Sequence, residues 1–368
     1  MSTGRHPYDY SETQPGEMKT EMQIDLRVPP CSPVSDVARF IETCETAGFD
    51  GVGLLDSQML ERDVFVSMAV AAQATSRIRI ASAVLNPVTR HISVIASAAK
   101  TVAELAPGRV EFWIGRGFSS VQTVGVRPAT VKQMRECVIT LKSLLTGEEF
   151  DFSGRAGRAT SRMRHGDQEI PKIIIAAHGP RTIEAAGEVA DGVLLQTGLH
   201  PRAIEEARKY LELGAQRAGR NVNDIEVIHT ATTIILDDQK EAREVARPMC
   251  VQRLVEKSHA PYLHAAGIEA DDLEIPVDGL NELYPDIPHA EDWEKAKELC
   301  SFLPDDILTQ MCDTIGLIGT PEYCSQQIKK AQANGIDHLY LMTGESYNFP
   351  QRELQAFQKD IFPALGRG

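Results

Sequence analysis

The chain of 368 residues has room for one large barrel or two average domains, and 42% hydrophobic with 24% charged residues suits a globular protein with a sizeable core. A net charge of -14 excludes a general nucleic-acid or anionic-membrane binder, because either needs a basic field. No run reaches the roughly 18 apolar residues of a membrane span, and residues 1–21 are polar without a secretory core, so a cytoplasmic protein is expected.

In chain order, β-like runs fall at 22–28, 51–55, 78–84, 110–114, 172–177, 192–196, 226–236 and 337–342. Helical stretches separate nearly all of them, which is the pattern of a parallel sheet closed by crossover helices, and eight is the barrel number. The expected fold is a (β/α)8 TIM barrel over residues 22–345, with a polar extension at 1–21 and a C-terminal segment at 346–368. In the first helix Ser32 is the expected cap and Pro33 suits the first turn. Val37, Phe40, Ile41 and Cys44 then share a face until Gly48 ends it.

Two segments break the repeat. Residues 147–171 carry Arg155, Arg158, Arg162, Arg164 and His165, and residues 255–304 are acidic and interrupted by Pro261, Pro276, Pro285, Pro288 and Pro304. Both are expected as insertions at the strand C-terminal face, where such segments can act as lids.

Barrel active sites form where strands end, so the residues there are the first candidates. They are Asp25 within the first run, Asp56 and Ser57 after the second, Asn86 after the third, Arg116 and Ser119 after the fourth, His178 after the fifth and Gln196 after the sixth. No nucleophile elbow, Walker loop or paired-carboxylate motif emerges among them. A polar ring without a nucleophile suits a cofactor that does the chemistry itself. Gly179-Pro180 opens a helix whose free N–H groups can hold a phosphate. Gly115 and Gly117, flanking Arg116, allow close backbone approach, and Ser119 adds a hydroxyl. Arg90-His91 at a helix start opposes the helix dipole and calls for a carboxylate partner or a ligand. Seven scattered cysteines without a C-x-x-C pair read as reduced thiols, and no Cys/His cluster has metal spacing, so no metal is expected.

These motifs have a family order. Asp56-Ser57, Asn86-Pro87 with Arg90-His91, Pro107-Gly108-Arg109, the G-R-G of 115–117, A-A-H-G-P-R at 176–181, A-G-E-V-A-D-G-V at 186–193 and G-T-P-E at 319–322 run in sequence from about Gln23 to Met342. The set resembles the bacterial luciferase-like superfamily, most of all the branch containing the methylenetetrahydromethanopterin reductases. The resemblance implies a flavin-dependent oxidoreductase of cytoplasmic type, a homodimer. Its leading form is a monooxygenase using O2 and reduced FMN, supplied by a separate flavin reductase, on a small organic substrate. The alternative is a coenzyme F420-dependent reductase or dehydrogenase, whose acidic tail could meet the Arg155 to Arg164 cluster. A third form is a non-catalytic flavin-binding protein.

The resemblance also assigns residues. It implies cofactor contacts from Ala83, Val84, Asn86, Gly115, Arg116, Gly117, Ser119, Ala177, His178, Gly179 and Pro180, with a non-proline cis peptide at Ala83–Val84 or its neighbour. Asp25, Asp56 and His178 become catalytic candidates, Asp25 because it lines up with a glutamate of the reductase branch; an ion pair to Arg27 or Arg79 is its alternative. Ser57, Phe118 and Gln196 are expected in the substrate pocket. Ser57 stands where related chains often have His, and Phe118 stands where the reductase branch reads G-x-G-D. The second change makes the pocket more apolar and implies a substrate other than the pterin.

Overall fold

The computed structural model describes residues 21–154, 157–164, 170–344 and 346–367; residues 1–20 of the polar extension, Arg155 and His165 lie outside the described residues. Eight parallel strands form a closed ring: β1 (Gln23–Val28), β2 (Gly51–Leu54), β3 (Arg79–Leu85), β4 (Val110–Ile114), then, after a hairpin of β5 (Phe150–Gly154) and β6 (Gly157–Ser161), β7 (Lys172–Ala177), β8 (Gly192–Leu195) and β9 (Glu226–Ile235). After β10 (Gly316–Gly319), the last strand β11 (His338–Thr343) pairs with both β9 and β1 and shuts the barrel. All eight ring strands match the expected runs.

Two features escape the sequence pattern. The four residues of β10, bounded by glycines, pair with the outer half of β9 from Gly316↔Thr232 to Gly319↔Ile235, outside the ring. So short a run carries no periodic signal. The antiparallel β5–β6 hairpin occupies the first insertion, which joins the helix Val131–Leu145 to β7 and is therefore rooted at the strand N-terminal end. Its Phe152 ring lies 5.6 Å from His91.

Helix starts show local chemistry at work. The first helix, Val34–Ala47, begins on Pro33 without a side-chain cap, so Ser32 does not take the expected role; Gly48, at φ 101, ends it as expected. Asp63, Thr130, Asp238 and Thr320 cap later helices with side-chain oxygens. Among the described residues no helix is long and apolar enough to cross a membrane.

The core has two main layers. Outward-facing residues of the strands, such as Ile24, Leu26, Val52, Phe112 and Ile175, pack against the surrounding helices. Inside the ring, Ala81, Trp113, Ile174, Leu194, Ile228 and Tyr340 form a central plug, with Trp113 edge-on to Tyr340 at 5.0 Å. Above the plug, toward the strand C-terminal ends, Ala83, Val84 and Ala176 face the mouth.

Candidate active site at the barrel mouth

The floor and the mouth of the barrel have opposite chemistry. At the strand N-terminal ends, Arg79 Nη2 donates to Asp25 Oδ1 at 2.7 Å, and His338 lies 3.1 Å from Asp25 Oδ2 and 3.2 Å from Glu226. Lys172 pairs with Glu226 at 2.6 Å, and the Trp113 indole donates to Glu111 at 2.9 Å. Burial alone would raise the Asp25 carboxyl, but Arg79 and His338 hold it below its usual range. Burial would likewise depress the His338 ring, yet Asp25 and Glu226 raise it to about 9. Gly51 leaves the space that Asp25 fills, since a Cβ there would stand 2.5 Å from Asp25 Oδ1. Asp25 therefore belongs to an ion-pair network under the plug, which corrects its assignment as a catalytic residue and selects the Arg79 pairing.

The mouth is organised around β3. The Ala83–Val84 peptide is cis, as the resemblance implied, and the β3–β4 register shifts between Ala83 and Leu85. Neighbouring glycines make room for it. A Cβ on Gly115 would stand 2.7 Å from Val84 Cγ2, and a Cβ on Gly53 would stand 2.8 Å from Ala83 Cβ and 2.9 Å from the Tyr340 hydroxyl. Gly115 thus admits the Val84 side chain, a closer neighbour than any ligand. Gly117 adopts φ +86, where L residues are strained.

Most of the expected polar residues brace this bulge. Asn86 Oδ1 accepts from the Val88 and Thr89 amides at 3.0 and 2.9 Å, while its Nδ2 donates to Ser120 at 3.3 Å and ties the β3 loop to the β4 loop. Arg116 donates from Nε to Ala129 O at 2.5 Å, and the Ala129 amide donates back to Arg116 O. Asp56 is taken up by Arg90, at 2.5 and 2.9 Å, and Arg90 also reaches Asp63 at 3.0 Å. This supplies the carboxylate that Arg90 required and makes Asp56 a clamp between two loops. Ser57 and Ser119 are buried beside it, and Phe118 is 38% exposed at the rim.

On the opposite wall, the Ala177 side chain packs outward into the helix layer, away from the mouth where a cofactor contact was expected of it, and Ala176 is the inward neighbour. Gly179 precedes the helix Pro180–Val189, whose first turn has no side-chain cap. His178 Nδ1 lies 2.8 Å from Ser258 Oγ, and its ring stacks on His259 at 4.6 Å. Burial lowers the His178 pKa, leaving a neutral ring at pH 7. Glu256 sits 3.1 Å from His259 and 3.8 Å from His178; Arg253 Nη1 lies 3.1 Å from His259 and 3.3 Å from Gln196 O. The second insertion therefore begins at the mouth, the face expected of it, and its residues Glu256, Ser258 and His259, with Arg253 just before it, form a wall there.

His178, Glu256 and His259 gather their donor atoms within 4.8 Å, a cluster the spacing argument did not anticipate. Arg253 stands against the same His259 nitrogen, and the two rings are nearly parallel, 15° apart, so their in-plane lone pairs do not converge on one point. The group acts as a hydrogen-bonded ion cluster in this arrangement. Tyr340 also escaped the sequence reading: its ring fills the gap over Gly53, and its buried hydroxyl has no partner among the described residues.

The mouth fits a ring with a phosphate-bearing side chain. It offers a bulged strand and, among the described residues, a helix N-terminus without a side-chain cap, over a plug in which the Tyr340 hydroxyl has no partner among those residues. Comparison with known proteins agrees with this architecture. A 5,10-methylenetetrahydromethanopterin reductase from Methanolobus tindarius is 28% identical over 326 residues, covering 86% of this chain and 93% of the relative. The F420-dependent glucose-6-phosphate dehydrogenase of Nakamurella multipartita is 28% identical over 231 residues, covering 58% and 67%. The coenzyme F420-dependent tetrahydromethanopterin reductase of Methanopyrus kandleri superposes with a TM-score of 0.71 at 20% identity, covering 94% of this chain and 99% of that one. With the luciferase-like monooxygenase model matching residues 11–338, the chain belongs to that oxidoreductase family.

Proposed function

We propose that this chain is a deazaflavin-dependent oxidoreductase that passes hydride between coenzyme F420 and a small organic substrate. The observation that carries the reading is the β3 bulge at Ala83–Val84, which faces the barrel mouth, with the helix start at Pro180, uncapped by any side chain among the described residues, following β7 on the same face. The choice of coenzyme is supported by the F420-dependent relative, and it reverses the preference for FMN drawn from the family resemblance.

The coenzyme supplies the two-electron chemistry. The protein would position it: Val84, given room by Gly115, would back the ring, and the amides after Gly179 with neutral His178 would hold the phosphate. Asn86 and Arg116 hold the β3 and β4 loops that frame the pocket. Phe118, half-exposed after β4, puts an apolar ring where the family resemblance implies an acid, which favours a substrate other than the pterin. Anaerobic incubation with the oxidised coenzyme and a panel of small alcohols, read by bleaching of the deazaflavin band, tests the reading. Bleaching without oxygen uptake supports it, and no bleaching with any donor beside turnover on reduced FMN and O2 contradicts it.

The second reading is that monooxygenase, with a separate reductase supplying FMN. The family's monooxygenase name and the apolar rim of Met59, Phe118 and Val124, each more than a third exposed, favour it. An apolar rim suits chemistry that must exclude water.

A further inference from the structure

We propose that Glu61 is the proton donor and acceptor of the mouth, exchanging a proton with the organic substrate as hydride moves. The inference rests on the deazaflavin reading and names the chain's own part in that reaction.

Glu61 sits in a braced turn after β2. The Leu60 and Glu61 amides both donate to Ser57 O, at 3.1 and 2.8 Å, closing a tight turn at the C-terminal end of β2. Arg62 ties the turn to Pro30 O in the loop after β1, from its backbone and from Nη1, each at 3.3 Å. Thr123 Oγ1 ties it to the β4 side by donating to Gln58 O at 3.1 Å. The turn thus bridges three loops over the mouth, a rigid placement for a reacting group.

The carboxyl is also unspent. Its Oε2 is buried without a hydrogen-bond partner among the described residues. The neighbouring acids are engaged, Asp56 and Asp63 by Arg90 and Glu256 by His259. The charges that bear on Glu61 are those of Arg27 of β1 and Arg62 of its own turn, and burial, joined by the charge of Glu61 itself, raises the neutral Cys31 thiol after β1 and the neutral Tyr347 phenol of the C-terminal segment. Burial raises the Glu61 carboxyl to about 7, against the pull of Arg27 and Arg62. A carboxyl near neutrality serves as acid in one direction and base in the other.

The balance closes without another reactant. In dehydrogenation an alcohol carbon loses its C–H electron pair as hydride to the deazaflavin ring, the O–H pair becomes the second C=O bond, and the proton passes to Glu61 Oε2. Reduction returns the proton from Glu61 to the carbonyl oxygen as hydride returns to carbon.

Measurements on the full chain test this. Carbon-13 NMR of glutamate carboxyls, with Glu61→Gln to assign the signal, should show a Glu61 midpoint within about one unit of neutrality. A midpoint at the ordinary 4.5 would overturn the proposal. Calorimetric titration with coenzyme F420 should show binding by wild type, Glu61→Asp and Glu61→Gln alike, while the rate of bleaching with an alcohol donor should follow a midpoint near neutrality in wild type and Glu61→Asp and lose that pH dependence in Glu61→Gln. A glutamine variant that binds the coenzyme and keeps the wild-type rate and pH profile overturns the proposal and leaves the coenzyme assignment standing. A wild-type chain that does not bind the coenzyme overturns the assignment, and the proposal with it.

Discussion

A methyl group at position 115 would collide with Val84, the residue on the far side of the cis bond. Gly115→Ala is therefore expected to push Val84 toward the ring position, costing about 1–3 kcal/mol of stability as an overpacked site and more than tenfold in coenzyme affinity. Urea unfolding and fluorescence titration on the same sample check both. The neighbouring case is Asp25. Asp25→Asn removes the buried charge that Arg79 and His338 share and leaves them only Glu111 and Glu226, for an expected loss of about 3–5 kcal/mol in unfolding free energy with coenzyme affinity unchanged. Stability kept with affinity lost would return Asp25 to the site. Both residues show the limit of reading single positions. A glycine beside a strand end announces close approach without saying of what, and an acid in an apolar strand announces a partner without saying at which end of the barrel. Ala176 and Ala177 differ only in which way the strand points them, a distinction fixed by register.

Among the elements, the turn at 256–259 matters most to the site. It packs on the helix start at Gly179, where a Cβ would meet Ser258 Cβ at 3.6 Å, an ordinary contact. Gly179→Ala should accordingly be neutral in stability, while the added methyls of Gly179→Val should displace the turn and cut coenzyme affinity at least tenfold for less than about 1 kcal/mol of stability. Melting temperature without coenzyme, beside the dissociation constant, separates the two effects. The helix at Pro180 was legible because Pro at the first turn and Gly before it are local signals. The turn was not, because His259 meets His178 across 81 positions of chain, and only the barrel's closure brings strand ends together.

At the scale of the whole barrel, the eight-fold strand rhythm was legible because each ring strand is apolar and bounded by helix signals, while the ionic floor emerged only from closure. That floor sets a pH window. His338 binds its proton more tightly in the folded chain, so its contribution is complete below its ordinary 6.5 and is lost as pH climbs through about 9. Glu226, whose carboxyl burial would raise but His338 and Lys172 bring down to about 2, contributes fully above its ordinary 4.5 and is lost as pH falls toward 2. The melting difference between wild type and His338→Gln should be largest below pH 6.5 and vanish above 9. A difference independent of pH would remove the network from the account.

In the proposed reading the barrel mouth holds a deazaflavin ring against the Ala83–Val84 bulge. Equilibrium titration of the wild-type chain and Gly115→Ala with oxidised coenzyme F420, run beside FMN and followed by fluorescence, decides it. Saturable binding of coenzyme F420 is expected, tighter than FMN by at least about tenfold and weakened in the variant. Tighter binding of FMN, or binding of coenzyme F420 that the variant leaves unchanged, would contradict it.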